Sequence, residues 1–192
     1  MKKYFKPLFA LTLLLTGVAA YALNQHIPTP NPNDPIMLSQ KNIAFINASA
    51  NKDGNTADYA KRLLAGHRYQ QINLIDYKLY PLGANFPDDQ FQTVYQQLAQ
   101  YDVLVIGTPV YWHTVSGALK VFIDRLYNED DNKLKGKTLI FIAQGFDPTP
   151  VSIEQMDYMI KRFANKYDLK LVGIAHSLSD IEQIKQRMDR KN

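Results

Sequence analysis

The chain has 192 residues, 46% hydrophobic and 21% charged, which leaves room for one globular domain and a tail. It contains no cysteine, which excludes a disulfide scaffold, a thiolate zinc site, a cysteine-held iron–sulfur cluster and a cysteine nucleophile. The formal net charge is +4, yet lysines and arginines are interspersed with carboxylates and no basic helix carries interleaved aromatics, so no nucleic-acid partner is expected.

The basic clusters lie at the two ends (Lys2, Lys3 and Lys6; Lys185, Arg187, Arg190 and Lys191), as attraction to an anionic membrane surface would favour. Residues 1–23 read as a signal peptide or an N-terminal membrane anchor. Three lysines precede an uncharged apolar run over 8–23, and Ala20-Tyr21-Ala22 has the small-x-small pattern of a cleavage site. The run is short for a bilayer crossing, which takes about 20 residues, though Tyr4 and Phe5 could extend it. In both cases the lysines stay inside and the body of the chain is expected outside the cytoplasm, exported or anchored to the cytoplasmic membrane, the alternative being a cytoplasmic domain if the N-terminus is not an export signal. Residues 24–40 contain Pro28, Pro30, Pro32 and Pro35. They exclude helix and central strand and favour an extended polyproline conformation, a tether ending at a domain boundary near Lys41.

From 41 to 192 the apolar pattern alternates between two periods. Ile43-Ala44-Phe45-Ile46 predicts a strand, and 56–65 a helix with Ala57, Ala60, Leu63 and Leu64 on one side. Residues 72–75 predict a second strand. Asp88 or Asp89 then caps a helix whose Phe91, Val94, Tyr95 and Leu98 fall at i, i+3, i+4 and i+7. Val103-Leu104-Val105-Ile106 is apolar throughout, so both of its faces must be covered, as in the middle of a parallel sheet. A helix over 115–127, a strand over 139–143, a helix over 153–163 and a strand over 169–175 follow. The last helix opens with the capping box Ser179-Asp180-Ile181-Glu182 and buries Ile181, Ile184 and Met188. Five strands alternating with five helices demand right-handed crossovers and a doubly wound parallel sheet. Ligands of such a sheet sit beyond the carboxyl ends of its strands, so the loops after the first, third and fourth strands are the expected site.

The first of these loops, 47–56, is built of small and hydroxyl residues between a strand and a helix. It can turn backbone N–H groups and hydroxyls toward one point at a helix start, which makes a phosphate cradle. Ser49 and Thr56 offer hydroxyls, Asn55 an amide and Gly54 an unhindered approach. It is neither a Walker loop nor G-x-G-x-x-G. The same residues are equally consistent with an Asx turn and a helix cap at Asn55 or Thr56. The second loop, 107–117, places Tyr111 beside the single tryptophan, Trp112, just past the central strand. Large aromatics on a loop edge suit a flat apolar partner, or else roof the core or a dimer contact. His113 follows them and is given no catalytic role.

Ala48-Ser49-Ala50-Asn51-Lys52-Asp53-Gly54-Asn55-Thr56 resembles the phosphate loop of the flavodoxin-like NAD(P)H-dependent FMN reductases and quinone reductases. Thr108-Pro109-Val110-Tyr111-Trp112, followed by Ser116-Gly117-Ala118-Leu119-Lys120 and Phe122-Ile123-Asp124-Arg125, resembles the most diagnostic stretch of that family. The resemblance covers roughly 42–178. It implies a flavodoxin-like three-layer sandwich with a five-stranded parallel sheet of order 2-1-3-4-5. It also implies an FMN site, with NADH or NADPH as co-substrate and a quinone, flavin or other small molecule as electron acceptor. By this resemblance Ser49, Asn51, Gly54, Asn55 and Thr56 hold the phosphate. Pro109, Val110, Tyr111, Trp112 and His113 border the isoalloxazine, and Gln144-Gly145-Phe146-Asp147 closes its other edge. Ser116 caps the following helix, Asp124 and Arg125 form a structural pair, and a homodimer is the family's usual assembly.

The departures from the family pattern are Ala48 for a glycine, Ala50 for a proline, Asn51 for an arginine and His113 for a small residue. The lost arginine implies weaker FMN binding, with Lys52 placed to replace it. A flavodoxin-type electron carrier and a cofactor-free interaction module are the alternative readings.

Overall fold

The computed structural model describes residues 29–129 and 132–188. The signal or anchor expected over 1–23 lies outside the described residues. Among the described residues no helix is long and apolar enough to cross a membrane.

Strands β1 (Ile43–Asn47), β2 (Tyr69–Asn73), β3 (Val103–Tyr111), β5 (Thr138–Gln144) and β6 (Lys170–Ala175) form one parallel sheet of order β2-β1-β3-β5-β6. A two-residue strand, β4 (Thr114–Val115), turns back antiparallel on the end of β3. Counting only the parallel strands, the order is the 2-1-3-4-5 of the flavodoxin-like fold. The helices are α1 (Asn55–Leu63), α2 (Phe91–Leu98), α3 (Gly117–Arg125), α4 (Pro150–Lys166) and α5 (Leu178–Met188).

The unbroken apolar strands are buried on both faces because each face carries helices. On one side Ala44, Ile46, Leu104, Ile106, Leu139 and Phe141 pack with Phe91, Phe122 and Ile160 of α2, α3 and α4. On the other, Phe45, Val103, Val105, Ile140 and Ile142 pack with Ala60, Leu63, Ile181 and Ile184 of α1 and α5. Each fully buried Leu, Ile or Phe is worth about 1.5–3 kcal/mol of transfer free energy, so these two layers dominate the stability.

Several boundaries differ from expectation for local reasons. The second strand runs over Tyr69–Asn73 rather than 72–75, and Leu74–Asp76 is a single 3₁₀ turn. This strand lies at the sheet edge, where Gln70 and Gln71 are tolerated and periodicity is weak. The helix expected from 115 begins at Gly117, because Val115 belongs to β4 and Ser116 is the N-cap, its Oγ accepting the Leu119 N–H at 3.2 Å. The last helix is capped from Ser177 instead of Ser179: the Ser177 N–H donates to Asp180 Oδ2 at 2.9 Å and the Asp180 N–H to Ser177 Oγ at 3.2 Å. Asp124 and Arg125 do not pair with each other, since neighbours on a helix point apart. Asp124 pairs with Lys120, and Arg125 with Asp89 at 2.5 Å over the Phe91 ring.

The proline-rich segment is not wholly a free tether. Ile36 and Leu38 are buried in the α1/α5 layer. The Ile36 N–H donates to the Arg187 carbonyl at 3.0 Å. The Arg187 guanidinium, 7% exposed, donates through Nε to the Asp34 carbonyl at 2.9 Å and through Nη1 to the Val172 carbonyl at 2.8 Å. Packing therefore reaches back past Lys41.

Candidate functional site

The carboxyl ends of β1, β3 and β5 lie side by side, with Asn47 opposite Gly107 and Pro109 opposite Gln144. Three loops leave this edge, and they carry the residues singled out in the sequence.

The first loop is organised by Asn47, a residue that sequence reasoning passed over. Asn47 is fully buried at the end of β1. Its Oδ1 accepts the Ser49 N–H at 3.1 Å, and its Nδ2 reaches the Lys52 carbonyl and Asn73 Oδ1, both at 3.2 Å. Ser49 Oγ then accepts the Asn51 N–H, and Asn51 Oδ1 the Asp53 N–H, each at 3.1 Å. Ser49 and Asn51 thus shape the bend by folding back on it. The Asx turn is present, but neither Asn55 nor Thr56 is the cap. The N-cap of α1 is Gly54, and no side chain bonds to the helix start.

That uncapped start decides whether an anion fits. The N–H groups of Gly54, Asn55, Thr56 and Ala57 make no hydrogen bond among the described residues. Asn55 is exposed, but Thr56 and Ala57 are buried and Gly54 half-buried, and such donors at a helix N-terminus need an acceptor, for which a phosphate is suited. Lys52 is held in an ion pair with Asp76, so it is not freely available to replace the missing arginine.

The second and third loops form a cleft of about 290 Å³ lined by Val110, Trp112, His113, Gly145, Phe146, Asp147 and Pro148. Tyr111 pairs with Thr114 across a two-residue turn made of Trp112 and His113, whose φ angles are +48° and +61°. Two positive φ values are the pattern that glycine and asparagine usually supply in such hairpins, so two bulky residues hold it at a cost. Trp112 is 96% exposed and Phe146 fully so, which rules out the reading of Trp112 as a roof over the core. Pro109 is buried at the end of β3. Gly145 has a steric reason: a Cβ there would stand 2.8 Å from Val110 Cβ and push the two loops apart.

The loops are tied together. Gln144 Nε2 donates to Oγ1 of Thr56 at 3.1 Å, joining the third loop to α1. Thr56 itself is 1% exposed. Ser116 Oγ donates to the Ala48 carbonyl at 2.7 Å, joining the second loop to the first. Just below the third loop, His176 bonds through Nδ1 to the Ala143 carbonyl at 3.0 Å and through Nε2 to Asp157 Oδ1 at 2.7 Å. Burial works against a charged His176 ring. The hydrogen-bonded Asp157 carboxylate and the Ala143 carbonyl outweigh it and hold the imidazole above its ordinary pKa. Among the described residues no cluster of three or more metal-ligating side chains occurs.

Comparison with known proteins gives a consistent result. Residues 41–175 match the family model described as NADPH-dependent FMN reductase. Over 91 residues, 43% of this chain and 50% of the relative, the sequence is 32% identical to Bacillus subtilis YwqN, whose name describes an NAD(P)H-dependent FMN-containing oxidoreductase. Over 80 residues it is 36% identical to an FMN reductase (NADPH) of Escherichia coli, covering 42% of this chain and 39% of that one. The matched stretch thus spans half or less of these relatives. Among solved structures, the Trp repressor binding protein of Bacillus subtilis superimposes with a TM-score of 0.60 at 20% identity, covering 76% of this chain and 99% of the other. An NADH:FMN oxidoreductase in its apo form gives 0.57 at 20% identity over 78% and 87%. Megasphaera elsdenii flavodoxin gives 0.53 at 16% over 76% and 96%. These structural likenesses establish the fold.

Proposed function

The chain belongs to the NADPH-dependent FMN reductase family, and on that premise we propose that it is an FMN-dependent oxidoreductase, drawing electrons from NADH or NADPH and passing them to a quinone, a flavin or a similar small acceptor. The observation that carries the reading is the uncapped start of α1, four unbonded N–H groups beside a cleft edged by Trp112 and Phe146. In flavin enzymes the cofactor supplies the redox chemistry and the protein supplies binding, orientation and electrostatics.

In this reading the Gly54, Asn55, Thr56 and Ala57 amides hold the phosphate, and Asn47 keeps their loop in place. Trp112 and Phe146 offer aromatic faces to a planar ring, and Gly145 keeps the slot open. Pro109, Val110 and Tyr111 border the ring from β3. A homodimer remains the expected assembly by family analogy.

The reading is tested by adding FMN to the purified chain and following flavin fluorescence, then assaying NAD(P)H oxidation with a water-soluble benzoquinone. Stoichiometric uptake with turnover, in the absence of any other reductase, is the expected result. A chain that stays colourless in excess FMN would overturn it. FMN uptake without NAD(P)H oxidation would favour a carrier role instead.

We also infer an extracytoplasmic location, anchored or exported, supported by the lysines at 2, 3 and 6 ahead of the apolar run over 8–23. Protection of the intact chain from protease added outside spheroplasts would refute it.

A further inference from the structure

We propose that His113 is a catalytic acid that delivers a proton from Nε2 to a carbonyl oxygen of a quinone-type acceptor, with Ser152 as its positioning residue. The inference rests on the flavin-site reading above and goes beyond it by giving the acceptor's chemistry.

His113 occupies the second place of a turn that ordinarily belongs to glycine, with φ of +61°. A side chain kept in such a conformation is held there by its surroundings. Here the holding contact is visible. His113 Nδ1 lies 3.1 Å from Ser152 Oγ. Ser152 sits in the first turn of α4, 2% exposed, and its Oγ lies 2.7 Å from Thr149 Oγ1, the N-cap of that helix. A hydrogen-bonded line therefore runs from the exposed Thr149 through buried Ser152 to the imidazole.

The line accommodates either tautomer, and the proposal takes the one with its proton on Nε2. Thr149 Oγ1 accepts the Ser152 N–H at 3.3 Å, and in the proposed arrangement it donates its own hydroxyl hydrogen to Ser152 Oγ, 2.7 Å away. On the same assignment Ser152 donates to His113 Nδ1, 3.1 Å away, and the ring proton resides on Nε2, which is what the first test below reads. The other ring nitrogen is Nε2. It has no partner among the described residues, and His113 lines the cleft together with Gly145, Phe146 and Asp147. The site thus presents a single oriented N–H donor where a small planar acceptor would lie.

A quinone is an acceptor class that uses such a donor. Its reduction to a hydroquinone takes up an electron pair and two protons. With FMN held as proposed, NAD(P)H would be the source of the pair and of one of these protons. The second proton goes to a carbonyl oxygen: the Nε2–H bond breaks and an O–H bond forms. The imidazole regains a proton at Nδ1 from the Ser152 hydroxyl, which is refilled from Thr149, and Thr149 draws on water. Exchange of the exposed ring with solvent restores the starting tautomer. The net consumption is one solvent proton per acceptor.

Two measurements test this. In the ¹⁵N-labelled full chain without added ligand, the His113 shifts should report a proton on Nε2, and Ser152→Ala should convert this to a tautomer mixture. In the FMN-loaded protein, turnover with a water-soluble benzoquinone is divided by turnover with ferricyanide, which accepts electrons without a proton. This ratio should fall about a hundredfold in His113→Gln, the size expected for loss of a general acid. It should fall to a smaller extent in Ser152→Ala, with an altered pH profile. His113 is exposed, so its replacement does not put folding at issue. An unchanged ratio, or a proton found on Nδ1, would overturn the assignment while leaving the flavin site intact. Failure of the unaltered chain to take up FMN would overturn both.

Discussion

The two ends of the cleft are built in opposite ways. At the phosphate end, Asn47, Ser49 and Asn51 fasten the bend by side-chain to backbone hydrogen bonds, and Thr56 is almost fully buried. At the ring end, Trp112 and Phe146 stand in solvent on a hairpin and a loop, and the hairpin carries two bulky residues at positive φ. One end is preformed and stabilised by the fold, while the other stores backbone strain and exposes apolar surface. In the proposed function, a site divided in this way would grip the cofactor by its phosphate and leave the ring edge free to meet a second molecule.

Asn47→Ala should break the comparison most severely. It strands the buried Ser49 N–H and removes the donor to Asn73, at about 2–3 kcal/mol. Thermal melting should fall by about 5–10 °C, and fluorescence titration should show FMN affinity reduced by about tenfold or more. Full affinity in a destabilised variant would mean that the bend is not the anchor.

Trp112→Gly should act in the reverse sense. The lost side chain makes no core contact, and glycine accepts the positive φ without penalty, so the melting temperature should stay within about 2 °C of the parent. FMN affinity should fall about three- to tenfold, the worth of one aromatic contact of about 0.5–1.5 kcal/mol. A large loss of stability would mean that the hairpin carries more of the fold than its exposure indicates.

The smallest effect concerns the support below the third loop. Both His176 ring nitrogens face acceptors, Ala143 O and Asp157 Oδ1, and only the doubly protonated ring satisfies both. The Asp180 carboxylate holds the His176 N–H, and Lys161 stands 3.8 Å from Asp157, so these are the other charged groups of that corner. Because the folded-state pKa is raised, this contribution is complete below the ordinary histidine value of about 6.5 and is lost as pH rises through the higher folded value. Melting temperature should therefore decline between about pH 6 and about pH 8, and His176→Gln should flatten that decline. A slope unaltered by the substitution would assign the pH dependence to another group.

What could be read in advance follows the same division. The central strands announce themselves because β1, β3 and β5 are apolar on both faces, and the loops after them follow from topology alone. Edge strand β2 does not, since Tyr69, Gln70 and Gln71 carry no such pattern and the apolar pair Leu74–Ile75 lies in a 3₁₀ turn instead. The last cap is locally ambiguous, because Ser177 and Ser179 each stand three residues before a carboxylate. Asn47 and Arg187 are illegible for a different reason. Their partners, such as Asn73 for the one and Asp34 for the other, lie far along the chain, and no local pattern encodes them. The Ser152 contact to His113 belongs to the same class, at a separation of 39 residues.

Arg187 has a mechanical consequence. Any pull on the chain ahead of Asp34 is delivered first to this guanidinium and, through it, to the Val172 carbonyl on the outermost strand. The load enters the sheet at β6 and α5, on the flank away from β1. A pull on the segment ahead of Asp34 therefore reaches β6 and α5 before it reaches the bend that carries Gly54 and Thr56.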